Sequence, residues 1–129
     1  MRIAALLPTA LLFGGMSLYS FGFAPMVFSA LKADVAGGLL RKAFPHYYLL
    51  VVVAATAATG ALAAFDGFSA ALMAGTAVAA LVARQLLMPA INHARDNGAK
   101  GSFNRLHGLS VGLNMVQLAT VAWVLVRLA

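Results

Sequence analysis

The chain has 129 residues, 63% of them hydrophobic and only 9% charged, with a net charge of +6 and no cysteine. Soluble domains carry about 25% charged residues, so an ordinary soluble core is excluded, and the missing cysteines exclude disulfides, thiolate metal sites and cysteine nucleophiles. The basic residues flank apolar runs and form no stripe with stacking aromatics, which argues against nucleic acid and for anionic lipid headgroups as the partner of that charge.

The first predicted span, residues 3–31, holds no charged side chain. A bilayer core about 30 Å thick takes roughly 20 helical residues, so a run this long must tilt or kink. Pro25 supplies the cause: it has no N–H and leaves the carbonyl of Phe21 without a helical donor, so a bend is expected there. A signal peptide also opens with a basic residue and an apolar run, but of about 7–15 residues. This run continues through Phe21, Phe23 and Phe28 and is expected to be retained. Gly14, Gly15, Ser17 and Ser20 make a small-residue face suited to helix contact in lipid.

Residues 32–44, with Lys32, Asp34, Gly37, Gly38, Arg41 and Lys42, read as a short loop running into an interfacial turn. The second span, 45–65, opens at Pro45, a favoured first helical residue, with Tyr47 and Tyr48 as an aromatic belt. Asp66-Gly67 is a tight turn, and the alanine-rich third span covers 69–89. Residues 90–104 form the one long polar stretch, read as a loop, before a fourth span at 106–128 anchored by Trp123 and Arg127. Four spans put both termini on one side with Arg2 and Arg127. The other side holds Lys32, Arg41, Lys42, Arg84, Arg95, Lys100 and Arg105. The seven-to-two split predicts cytoplasmic loops and extracytoplasmic termini in a bacterial inner membrane.

The strongest polar pattern is in the fourth span. His107, Ser110, Asn114 and Gln117 are spaced three, four and three apart and share one helical face, which cannot cheaply meet lipid. Interhelical hydrogen bonding and a lined binding site are both open readings of that stripe. Arg84 stands alone in the third span; it either snorkels to headgroups or turns inward toward a carboxylate, phosphate or propionate. An inward Arg84 is expected to converge with Arg105 and His107, with Asp96 and then Asp34 as the nearest counter-charges. His46, His93 and His107 map to the same end, which keeps haem in view, although none forms a helical metal-binding pair. No nucleophile elbow, phosphate loop or intramembrane carboxylate occurs, so no catalytic residue is assigned.

Phe21-Gly22-Phe23-Ala24-Pro25, Ala43-Phe44-Pro45-His46-Tyr47-Tyr48, Pro89-Ala90-Ile91-Asn92 with Arg95, and Phe103-Asn104-Arg105-Leu106-His107-Gly108-Leu109-Ser110 with Asn114 resemble the transmembrane protein 205-like family, whose bacterial members carry a domain of unknown function. The resemblance implies a four-helix membrane domain and carries over no catalytic residue. A looser architectural similarity links the chain to four-helix copper-resistance and J-type protoporphyrinogen oxidase proteins, some of which bind haem. That group looks to a histidine in the first span, where this chain has none.

The expected fold is an all-α, integral membrane, antiparallel four-helix bundle of one domain. The leading expectation for function is a non-enzymatic protein binding a small anionic or amphipathic ligand, or a partner subunit, at Arg84, Asn92, Arg105, His107, Ser110 and Asn114. One alternative is a haem- or porphyrin-handling redox protein using His46, His93 or His107; another is a structural subunit or homo-oligomer held by the small-residue faces. No metal ion is expected.

Overall fold

The computed structural model describes residues 2–129. They form four long helices: α1 (Arg2–Ala30), α2 (Ala33–Leu62), α3 (Gly67–Asp96) and α4 (Lys100–Leu128), each long and apolar enough to cross a membrane. At 1.5 Å per residue each is about 44 Å long, well beyond the hydrocarbon core, so both ends of each helix extend into the headgroup zone.

That surplus corrects the expected boundaries. Residues 33–44 are not a loop but the first turns of α2, and Pro45 lies inside that helix rather than at its start. The polar residues 90–96 continue α3, and α4 opens at Lys100. Charge alone does not end a helix at a wet interface, where side chains project into water. Caps do. Asp34 sits in the first turn of α2, where the helix dipole favours a carboxylate. Gly98, at φ 67°, turns the chain out of α3, and the Ala99 N–H bonds back to the Ala94 carbonyl.

Two prolines shape the bundle in the same way. Pro25 follows a π-helical segment, Leu18–Phe23, and Pro89 follows another, Ala83–Leu87. A proline ring collides with the carbonyl four residues back, here that of Phe21 or Gln85, and both lie inside the widened turns. One extra residue in the turn moves that carbonyl aside. At Pro25, where a bend is expected, the helix carries a π turn, and Pro89, expected at the end of a span, sits past a second one.

The tightest packing is between α2 and α3. Ala54, Ala55 and Ala58 of α2 and Ala70, Ala77 and Ala80 of α3 are buried, with Met73 and Leu62 filling the core between helices. Lipid gives helices no hydrophobic reason to associate, so small residues that let backbones approach take over. Going round the bundle, α1 touches α2 and α4, and α3 touches α2 and α4; α2 and α4 face one another across the middle. The outer face is apolar, with Ile3, Leu7, Leu11, Val53, Val78 and Val116 exposed. A water-facing surface would be polar at these positions.

The end that carries the termini is stitched shut. Asp66 caps α3 by accepting from the Ser69 N–H at 3.1 Å and the Ser69 hydroxyl at 2.7 Å, and it accepts from Arg127 Nη2 at 3.0 Å. Arg127 also lies 4.7 Å over the Trp123 ring. Arg2 Nε donates to the Leu128 carbonyl at 3.0 Å, satisfying one of the free acceptors at the end of α4.

The bonds from Ser69, and then Arg127, hold the Asp66 carboxyl below its ordinary range. A depressed folded pKa means the stabilisation is present above the unfolded value, near 4, and is lost as pH falls through the folded value. Asp66→Ala is therefore expected to lower the thermal midpoint in detergent at neutral pH. The gap from the parent protein should narrow as the pH is taken below about 4.

Candidate functional site

At the opposite end the bundle divides into two hairpins. Close backbone contact between α1 and α4 is concentrated in the Arg2–Ser17 part of α1. Below the π turns, Met88–Asp96 packs its backbone on α4 and meets α2 through the Arg95 and Asp96 side chains. A cavity of about 510 Å³ lies between the hairpins and takes lining residues from all four helices. Its size falls within the range of small-molecule sites.

The floor is built by side chains that cross the bundle. Tyr47 donates to Asn114 Oδ1 at 2.6 Å, Asn114 Nδ2 donates to the Ser20 hydroxyl at 2.9 Å, and Tyr48 shares a 3.2 Å hydrogen bond with Ser110. The diagonal between α2 and α4 is too wide for short side chains, and a tyrosine at each end of a two-residue step on α2 spans it. One turn deeper, Gln117 Nε2 donates to the Thr76 carbonyl of α3 at 3.0 Å. Tyr19 stacks on Tyr47 at 4.3 Å and meets Phe23 and Phe44 at 5.2 and 5.5 Å. Among the described residues its hydroxyl is the buried side-chain polar atom left without a partner.

The walls are apolar: Ala24, Pro25 and Phe28 of α1, Leu40 and Phe44 of α2, Met88 and Ile91 of α3, Val111 and Met115 of α4. The mouth is cationic. Arg41 makes a two-pronged ion pair with Asp96 at 2.8 and 2.9 Å, tying α2 to α3. Arg95, its neighbour, lines the cavity and has no hydrogen-bond partner among the described residues. Its guanidinium packs against Gly37, where a Cβ would come within 2.8 Å of Arg95 Cζ. Gly37 is needed for that close approach. Asn92 and His107 complete the rim, and the His107 ring stacks parallel to Phe103 at 5.7 Å. The residues lining the cavity include no carboxylate and no thiol.

Of the residues expected to form a site, Asn92, His107, Ser110 and Asn114 line this cavity. Arg84 and Arg105 do not. Arg84 Nε donates to the Pro45 carbonyl of α2 at 3.2 Å and its Nη1 donates to Gln85 Oε1, so its guanidinium is held by protein groups outside the cavity that His107 lines. Arg105 is exposed outside the lining. The counter-charge Asp96 serves Arg41 instead. The three histidines are not gathered: His46 is exposed on α2, His93 is hydrogen-bonded to Asn97 at 2.9 Å, and His107 alone reaches the cavity. Among the described residues no group of three His, Cys, Asp or Glu side chains is placed to hold a metal ion. Sequence reasoning missed Arg95, Gly37, Ser20 and the tyrosine cluster. Tyr47 and Tyr48, expected as an interfacial belt, are buried and turned inward. Their signal was present: adjacent tyrosines two turns beyond the basic cluster Arg41-Lys42 lie too deep for headgroups once that cluster is helical.

The model of a domain of unknown function, DUF4149, matches residues 7–100, and the chain belongs to that family. No curated protein and no solved structure matches it.

The floor makes a stability contrast. Tyr47→Phe leaves the Asn114 acceptor without its tyrosine donor and is expected to cost about 1 kcal/mol. Tyr19→Phe removes a hydroxyl that bonds to nothing and is expected to leave stability unchanged or slightly raised. Thermal unfolding of both variants in the same detergent checks the order.

Proposed function

We propose that this protein is a non-enzymatic membrane protein that binds an amphipathic anion in the cavity between its two hairpins. One observation carries the reading: a guanidinium without a protein partner, Arg95, stands at the mouth of an apolar-walled cavity. Arginine is always charged, and its planar fork of donors suits a carboxylate or phosphate. Arg41 is neutralised by Asp96, so the uncompensated positive charge at the rim falls on Arg95, with His107 and Asn92 as further polar contacts. The walls take the hydrocarbon part, and Ser110 and Asn114 mark the polar limit of the floor.

The cavity lies at the end with the α1–α2 and α3–α4 connections. The excess of Lys and Arg at that end supports cytoplasmic loops, extracytoplasmic termini and a bacterial inner membrane, with the four helices antiparallel. The motifs quoted for the transmembrane protein 205-like family supply much of the lining, including Phe21, Phe44, Tyr47, Arg95, His107, Ser110 and Asn114, which supports that finer kinship.

Dihexanoyl phosphatidylglycerol, a short-chain anionic amphiphile soluble as a monomer, is a direct probe. Titrated into the protein held in amphipol, it should bind the parent, and Arg95→Gln should weaken binding tenfold or more, about 1.4 kcal/mol. Arg105→Gln, outside the lining, should leave affinity unchanged. Equal loss in both variants would point to general surface charge and sink the site.

A further inference from the structure

We infer that the ligand enters sideways from the bilayer, between α1 and α4, and is an anionic phospholipid of the surrounding leaflet. This rests on the amphiphile-binding reading above and adds the source and class of the ligand.

The two long sides of the cavity differ. On the α2–α3 side the Arg41–Asp96 ion pair and the Arg95 guanidinium lying on Gly37 close the gap. On the α1–α4 side nothing does. Backbone contact is concentrated in the Arg2–Ser17 part of α1, and among the described residues no hydrogen bond or ion pair joins α1 to α4 below the Asn114–Ser20 bond at the floor. The flanks of that opening are apolar and outward-facing: Phe21 is 61% and Phe28 56% exposed on α1, and Val111 is 46% and Met115 37% exposed on α4. All four also line the cavity. The same side chains thus belong to the lipid-facing surface and to the cavity wall, so the cavity is continuous with the hydrocarbon layer.

Geometry then restricts the ligand. From His107 at the rim to Asn114 at the floor is seven residues, about 10 Å along α4. That places the floor inside the hydrocarbon layer and the rim at its boundary. A water-soluble anion could meet Arg95 but would leave the apolar walls empty. A two-chain lipid is too large for 510 Å³ to enclose, yet a side opening lets its phosphate meet Arg95 and one chain fill the cavity while the other stays in the bilayer. Charge complementarity selects the anionic headgroup, since no carboxylate lines the cavity and Asp96, beside Arg95 in the chain, is paired with Arg41.

The test uses the full chain in nanodiscs containing a phosphatidylglycerol whose acyl chain carries a photoactivatable diazirine, with a phosphatidylcholine analogue as the parallel arm. Cross-links located by mass spectrometry should concentrate on Phe21, Phe28, Val111 and Met115 over the outer residues Leu49 and Leu86, exposed at 47% and 67%, by tenfold or more. Arg95→Gln should erase that preference. Cross-links spread evenly over all six positions, or equal labelling by the zwitterionic analogue, would overturn the proposal. If dihexanoyl phosphatidylglycerol still binds the parent and not Arg95→Gln in amphipol, only the lateral lipid route falls. If it binds neither, the amphiphile-binding reading falls as well.

Discussion

Hydrocarbon offers no hydrogen bonds, and that single constraint orders this molecule. Every polar group within the four spans must find a partner in the protein or sit where water or a ligand can reach it. Thr9, Thr59 and Thr120 solve the problem locally by bonding back to carbonyls four residues earlier in their own helices. Gln117, Asn114 and Ser110 solve it across the bundle, and in doing so they tie α4 to α3, α1 and α2. Each such bond is worth only about 0.6 kcal/mol on average in a membrane. Their value lies equally in direction, because they specify which faces meet among alanine and leucine surfaces that pack almost equally well in several registers.

The same constraint explains how a membrane bundle keeps a cavity. A dry void lined only by apolar groups would collapse or fill with lipid. Here a π turn precedes Pro25 and another Pro89, both on helices that line the cavity, and Tyr47 and Tyr48 bridge the hairpins at the floor while satisfying their own hydroxyls. The Tyr19 hydroxyl is the exception, and it lies beside the site, where incomplete satisfaction is most often tolerated. Arg95 is the counterpart at the wet end: a charge left without a partner beside an ion pair that consumes the nearest carboxylate.

Much of this was legible from residue order. Long uncharged runs and their flanking charges marked four helices, and the spacing of Ser110, Asn114 and Gln117 marked the inward face of α4. The boundaries were read too short at residues 33–44 and 90–96 because charge was taken as a stop, whereas a helix at an interface ends at its caps. The isolation of Arg84 in an apolar run points it toward the site, but its guanidinium is taken by a carbonyl on the neighbouring helix, that of Pro45. No pattern within one helix reveals that neighbour.

By itself, then, the sequence determined the medium, the number of spans and the polar face of the last helix, because these follow from transfer free energies and from the 3.6-residue period, both local properties. Only the tertiary structure decided that Tyr47 and Tyr48 turn inward, that Arg95 and not Arg84 lines the cavity, and that the cavity takes its lining from all four helices. Those outcomes depend on which helices are adjacent and which diagonal, and such relations arise only when side chains far apart in the chain compete for the same few partners.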